Sequence, residues 1–248
     1  MTAASTDNAA SRTAPDLAVL LAGAGEGTRM GPLGPKLLIP VGGKPALARV
    51  AETFLAHAAV GELVAIVPVA LYVEAEAALR SVANPRTIPV HVVGGGETRQ
   101  DSVGRGLGAL RAGLHFTAVH DVARVLVDGP LIDRVLAAAR EHGAAIPALR
   151  LTDSVKEVSD GRVSRSIPRE RLVAAQTPQI FASDILRKAH AHARGGEYLA
   201  TDEAALVEAI GAPVAVIDGD ERNRKLTVPG DLVILNALLR AGAATEQS

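Results

Sequence analysis

Three glycines at alternate positions, Leu21-Ala-Gly23-Ala-Gly25-Glu-Gly27-Thr-Arg29-Met30, directly follow a short apolar run, and Gly34-Pro35-Lys36 comes next. Glycines so spaced let backbone N–H groups approach a polyphosphate closely, where side chains would obstruct them. Arg29 and Lys36 would then add positive charge. The spacing is not the dinucleotide pattern G-x-G-x-x-G, because position 28 is Thr, and no Gly-Lys pair stands in a Walker A context. A second cluster, Gly94-Gly-Gly96-Glu-Thr-Arg-Gln-Asp-Ser102-Val, reads as a strand end turning into a helix N-terminus, a common ligand position in open α/β sheets. In a third segment, Val119-His120-Asp121-Val-Ala-Arg124, an apolar run delivers both signs of charge to the same ligand edge. His120 reads as a packing residue. His190 and His192 lie two apart on a predicted helix, point to different faces and form no metal cluster.

Taken in order, these segments resemble the nucleotidyltransferases that load a phosphorylated alcohol with a nucleoside monophosphate. More narrowly, residues 16–240 resemble the 2-C-methyl-D-erythritol 4-phosphate cytidylyltransferase family of the non-mevalonate isoprenoid pathway. Further segments carry the likeness: Leu151-Thr-Asp153-Ser154-Val-Lys156, Pro168-Arg169, Gln176-Thr177-Pro178-Gln179, Thr201-Asp-Glu-Ala204 and Asn223-Arg-Lys225-Leu-Thr227.

The resemblance implies roles residue by residue. Arg29 and Lys36 would bind the triphosphate within a nucleotide loop made of Ala22, Gly23, Ala24, Gly25, Gly27 and Thr28. Gly96, Glu97 and Ser102 would meet base and ribose, and Lys225 would be the second catalytic lysine. Asp121 would lie near Mg²⁺ and the acceptor phosphate, and Arg124, Ser154, Arg169 and Thr177 would hold the acceptor. Several positions depart from the family's pattern: Leu37 replaces Gln after Pro-Lys, Val122 and Val125 replace Ala and Pro around the Asp121 motif, and Arg224 replaces an apolar residue before Lys225. No departure removes a charged catalytic group. They bear on which polyol phosphate fits.

The implied reaction is in-line attack by an acceptor phosphate on the α-phosphorus of CTP, with pyrophosphate leaving. Both reactants are polyanions, so cations and Mg²⁺ matter more than a general base. Cytidine selectivity comes from the resemblance alone. Two alternatives stand beside it: a cytidylyltransferase for another polyol phosphate such as ribitol 5-phosphate, and a nucleotide-binding module that has lost turnover. The glycine spacing disfavours an NAD(P)-binding domain.

Elements that could position these residues alternate in type from Asp16 onward, with strands expected at 17–22, 63–67, 88–93, 116–120 and 144–149. Helices are expected over 45–58, with Pro45 in the first turn, and over 71–82, 98–112 and 130–141. Val155 to Ile167 reads as a hairpin whose turn, Asp160-Gly161, suits type I′. Such a hairpin is marginal alone, so it lies on the parent sheet, on a second subunit, or out in solvent as a flap. Helices near 183–194 and 201–210, a strand at 213–217 and a helix over 229–240 complete the pattern. The expected fold is α/β: a single Rossmann-like, mostly parallel twisted sheet with flanking helices and a protruding β-hairpin. In the family the hairpin is a dimerisation arm, which implies a homodimer. The domain would span 16–242, with the arm about 153–168, after a disordered lead at 1–15 and before a flexible tail at 243–248.

Composition narrows the partners. With 26 Lys+Arg against 27 Asp+Glu, the field that draws proteins onto nucleic acid or anionic membrane is missing. Aromatics at 2% leave few stacking platforms for single-stranded nucleic acid. The absence of cysteine excludes disulfides, thiolate metal sites and a Cys nucleophile, and a cytoplasmic enzyme suits it. Leu17 to Ala24 ends in an Ala-x-Ala pattern like a secretory signal, but Arg12 is its only upstream cation and removal would discard the first core strand.

Overall fold

The computed structural model describes residues 14–25, 28–111, 113–194 and 200–245, and gives the backbone alone for 28–29 and 243–245. Chain order begins with β1 (Leu17–Ala22), a small ribbon of β2 (Pro40–Val41) and β3 (Lys44–Pro45), and α1 (Ala46–Ala56). Then come β4 (Val60–Val67), α2 (Tyr72–Arg80), β5 (Val90–Gly94), α3 (Arg99–Ala109) and β6 (Phe116–Asp121). They lead to α4 (Gly129–His142), β7 (Ala144–Arg150), and the hairpin strands β8 (Val155–Ser159) and β9 (Arg162–Ile167). The remainder is β10 (Val173–Ala175), β11 (Gln179–Ala182), α5 (Ser183–Arg194), α6 (Glu203–Ala209), β12 (Ala215–Asp218) and α7 (Pro229–Thr245).

The main sheet runs β5-β4-β1-β6-β11-β7, with β1, β4, β5 and β6 parallel and β12 parallel to β7. Strand β11 is inserted antiparallel between β6 and β7, and β10 also pairs antiparallel with β7. Neither insertion is among the expected strands. At three and four residues, separated by Gln176-Thr177-Pro178, they are too short to show a period.

Alternation along β1 sorts the core onto both faces of the sheet. Leu17, Val19 and Leu21 pack with α1 and α4 on one side, whereas Ala18 and Leu20 pack with α3, α5 and α6 on the other. Helix starts obey local chemistry: Thr98 and Asp101 form a capping box on α3, and Asp128 caps α4, which closes on Gly143 in the left-handed region. Pro45 proves to be the cap residue of α1 rather than part of its first turn. Helix α7 runs to Thr245, three residues into the stretch expected as a tail, and most of the expected lead, 1–13, lies outside the described residues.

The hairpin is found as expected, its turn carried by Asp160 at φ 50° and Gly161 at φ 73°. Among the described residues it forms a separate two-stranded sheet and does not join the parent sheet. The parallel strands end at Ala22, Val67, Gly94, Asp121 and Asp218, so both glycine loops, Asp121 and the segment before Lys225 follow the same edge.

Candidate active site

At this edge the glycines do what close approach requires. Gly23 N–H donates to the Ile66 carbonyl at 2.8 Å and Gly95 N–H to that of Val67 at 2.9 Å, so each loop is a short continuation of its strand. A Cβ on Gly95 would stand 2.3 Å from the Ala24 Cβ, and one on Gly96 would stand 2.5 Å from the Asp101 Cβ. The two glycine segments therefore touch, and only glycine fits between them. Ser102 is buried; its hydroxyl accepts from Gly96 N–H at 3.0 Å and donates to the Thr98 carbonyl at 2.8 Å. Ser102 thus shapes the loop with its only hydroxyl proton. Glu97 and Gly25 are exposed, and Ala22 is half-buried.

Asp121, at the C-terminal end of β6, is the electrostatic centre. Its Oδ2 accepts from Lys225 Nζ at 2.5 Å, and its Oδ1 from an Arg99 guanidinium nitrogen at 3.4 Å. Burial by itself would raise this carboxyl's pKa, but Lys225 and Arg99 outweigh it and hold Asp121 down at about 2. The carboxylate is 11% exposed and Lys225 is 43% exposed, so the ammonium reaches from solvent into the edge.

A second chain of hydrogen bonds fixes the backbone beneath it. The Arg124 carbonyl can only accept, so His120, 3.0 Å away, carries its proton on Nε2. Its Nδ1 must then accept from the Thr177 hydroxyl at 3.1 Å, which leaves the Thr177 oxygen to accept from Asp121 N–H at 3.1 Å. His120 is fully buried, meets Phe54 edge-on at 5.2 Å and is pushed down to about 4 by burial, so it is neutral near pH 7. It is the packing residue that the sequence suggested. Thr177, expected on the acceptor phosphate, spends its one proton on His120.

Arg124 also turns inward. It donates to the carbonyls of Asn223 at 2.8 Å and Ala175 at 3.1 Å, tying the segment before Lys225 to β10. Gln176 and Asn223 strengthen that tie through the Asp220 carbonyl at 2.9 Å and the Thr177 carbonyl at 2.8 Å. The structure thus joins Asp121, Arg124, Thr177 and Lys225 in one cluster and brings the two glycine segments into contact beside it. Lys36 opens a short 3₁₀ turn, Lys36–Leu38, and is half-buried. Gly27 and the side chains of Thr28 and Arg29 lie outside the described residues. Ser154 and Arg169 sit exposed at the hairpin base, where Arg169 donates to the Thr152 carbonyl; among the described residues no hydrogen bond or ion pair links them to Asp121.

The departures from the family's pattern find physical reasons. Leu37, Val122 and Val125 are all buried in the core, where apolar side chains belong, and Arg224 is exposed. Two residues inside the quoted motifs were given no role by sequence. Arg99 stands at the first position of α3, where a cation opposes the helix dipole, and that violation was the available signal. Glu203 opens α6, an ordinary place for an acid, so nothing in sequence marked it.

The chain is similar to known proteins along most of its length. The model of the 2-C-methyl-D-erythritol 4-phosphate cytidylyltransferase (IspD) family matches residues 17–241. A protein of that name from Gloeobacter violaceus is 41% identical over 226 residues, covering 90% of this chain and 95% of the relative. A bifunctional IspD/IspF enzyme from Nitratidesulfovibrio vulgaris is 40% identical over 225 residues, and the match takes in 88% of this chain but only 57% of that longer protein. Among solved structures, the cytidylyltransferase from Thermus thermophilus superposes with a TM-score of 0.74 at 36% identity, covering 91% of this chain and 99% of that one.

Proposed function

The chain belongs to the 2-C-methyl-D-erythritol 4-phosphate cytidylyltransferase family, and we propose that it transfers a cytidylyl group from CTP to 2-C-methyl-D-erythritol 4-phosphate. An acceptor phosphate oxygen bonds to the α-phosphorus as the bond to the β-phosphate breaks, giving the CDP-linked alcohol and pyrophosphate. The observation that carries this reading is the charge cluster itself. Asp121 is held ionised down to about pH 2, and burial keeps His120 neutral above about pH 4, so neither is poised near neutrality as a general base. A phosphate nucleophile is already ionised and needs no base, whereas two polyanions brought together need cations.

In this reading Arg29, Lys36 and Lys225 surround the reacting phosphates. The paired glycine segments, free of side chains, let the nucleotide approach their backbone closely, with Gly96 and Glu97 beside base and ribose. Asp121 holds Lys225 until phosphate arrives and positions it against the α-phosphorus. Arg124 and Thr177 support the acceptor side by fixing the backbone around Asp121.

Among the described residues no three His, Cys, Asp or Glu converge as a metal site. Mg²⁺ typically takes one or two carboxylates and completes its shell with substrate phosphates and water. Asp121 supplies one such carboxylate, a donor set that fits Mg²⁺ arriving on the triphosphate. Bound there, Mg²⁺ would offset the charge of the phosphates.

The same proposal includes a homodimer. Among the described residues strands β8 and β9 pair only with each other, their Val158 and Val163 are 60% and 62% exposed, and Ser154 and Arg169 stand at the arm's base. An isolated two-stranded ribbon needs a surface to lie on, and a twin's acceptor site would bring Ser154 and Arg169 into use. No helix among the described residues is long and apolar enough to cross a membrane. With no cysteine and no strong net charge, a cytoplasmic enzyme working on freely diffusing phosphates suits the chain.

The test is a panel of acceptors with CTP and Mg²⁺, read by pyrophosphate release. Methylerythritol phosphate should support turnover. Preference for ribitol 5-phosphate would move the chain to another acceptor, and CTP binding without pyrophosphate from any acceptor would make it a binding module.

A further inference from the structure

Arg99 stands outside the roles assigned so far, yet it joins three parts of the site. One arm of its guanidinium meets Glu203 at 2.8 Å and another meets Asp121 at 3.4 Å. Glu203 is buried at 1% exposure, and Arg99 is the only cation paired with it among the described residues. The adjacent Gln100 accepts from Ala200 N–H at 3.2 Å, so the start of α3 is tied twice to the segment that opens α6. That segment is in turn anchored to β11, where Gln179 donates to Asp202 at 2.8 Å and accepts from Ala204 N–H at 3.2 Å.

We propose that Arg99 is a positioning residue: anchored on Glu203, it fixes the plane of the Asp121 carboxylate so that Oδ2 faces Lys225. The inference rests on the proposed reading of the site and adds a member to it. Each Asp121 oxygen has its own cation, and a planar fork can hold two carboxylates at fixed angles, which a lysine cannot. Because Arg99 directly follows the Gly96–Thr98 loop, it also couples the nucleotide segment to the lysine that meets the phosphates.

A purely structural role makes a different forecast. If Arg99 only neutralises buried Glu203, removing both charges together should restore everything. The experiment compares Arg99→Met, Arg99→Lys, Glu203→Gln and the Arg99→Met/Glu203→Gln double variant. Arg99→Met should lose thermal stability and at least tenfold in kcat, while KM for CTP moves less than threefold. Arg99→Lys should keep stability better than Arg99→Met but recover kcat only in part. The double variant should regain its unfolding temperature but not its kcat. Recovery of kcat in the double variant would overturn the inference. A ligand-free crystal structure of the double variant gives a readout independent of turnover: Asp121 should be turned away from Lys225, and an unmoved carboxylate would also overturn it. An inactive wild type would instead count against the proposed reaction, leaving this structural arm to decide on Arg99.

Discussion

Lys225 and Asp121, 104 residues apart in sequence, meet at 2.5 Å on the C-terminal edge of the sheet. The contact depends on the inward turn of Arg124, which ties the chain before Lys225 to β10, and on Thr177, which holds the Asp121 backbone. An exposed ammonium thus waits beside a nearly buried carboxylate, with the two glycine loops next to it.

Lys225→Met should lower kcat on the order of 10² to 10³, the usual cost of losing one contact made to transition-state charge. CTP affinity, measured by calorimetry, should change far less. Since Asp121 is ionised from about pH 2 upward, the wild-type kcat should show no inflection from this group between pH 5 and 9. Near-normal turnover in Lys225→Met would remove the lysine from the chemistry.

Thr177→Val removes both halves of a buried exchange. Asp121 N–H and His120 Nδ1 each lose their partner, which should cost about 1–3 kcal/mol of stability. Thr177→Ser keeps the hydroxyl and should restore most of it. Chemical unfolding of both variants checks this, and equal stability of the two would contradict the hydrogen-bond assignment.

His190 sets an acid limit on stability. Burial, with Arg194 and Arg99 nearby, pushes it from 6.5 to about 4, so the folded chain binds fewer protons than the unfolded chain between those values. Stability should therefore be full above about pH 6.5 and fall as the pH drops toward 4. Below that the loss stops growing. Thermal unfolding at pH 7.5 and pH 5 should show a smaller decrease for His190→Leu than for the wild type, and identical slopes would refute the origin.

The exposed faces of Val158 and Val163 give the dimer proposal a handle, since the two residues pair across the hairpin. Sedimentation equilibrium should find a dimer for the wild type and a monomer for Val158→Asp/Val163→Asp. A wild-type monomer, or a variant still dimeric, would leave the arm without that role.

Much of this was legible in sequence because its causes are local. Leu17 to Ala22 alternates between two helical layers, Asp160-Gly161 fits only a tight turn with positive φ, and the glycines of 94–96 mark a close approach. What escaped notice depends on distance. Strands β10 and β11 are too short to show a period and exist because β6 and β7 offer them partners. Glu203 reads as a routine helix-opening acid until folding buries it against Arg99. Thr177 illustrates the same limit: the resemblance sets its hydroxyl on an acceptor phosphate, but only the structure shows that its proton goes to His120.

Whether cations gather around the triphosphate as it is cleaved is tested most directly by a crystal structure with CTP and Mg²⁺. It should place nitrogen atoms of Arg29, Lys36 and Lys225 within about 4 Å of phosphate oxygens, ion-pairing distance, with Lys225 drawn from Asp121 toward the α-phosphate. Nucleotide bound elsewhere, or phosphates contacted by none of the three, would contradict it.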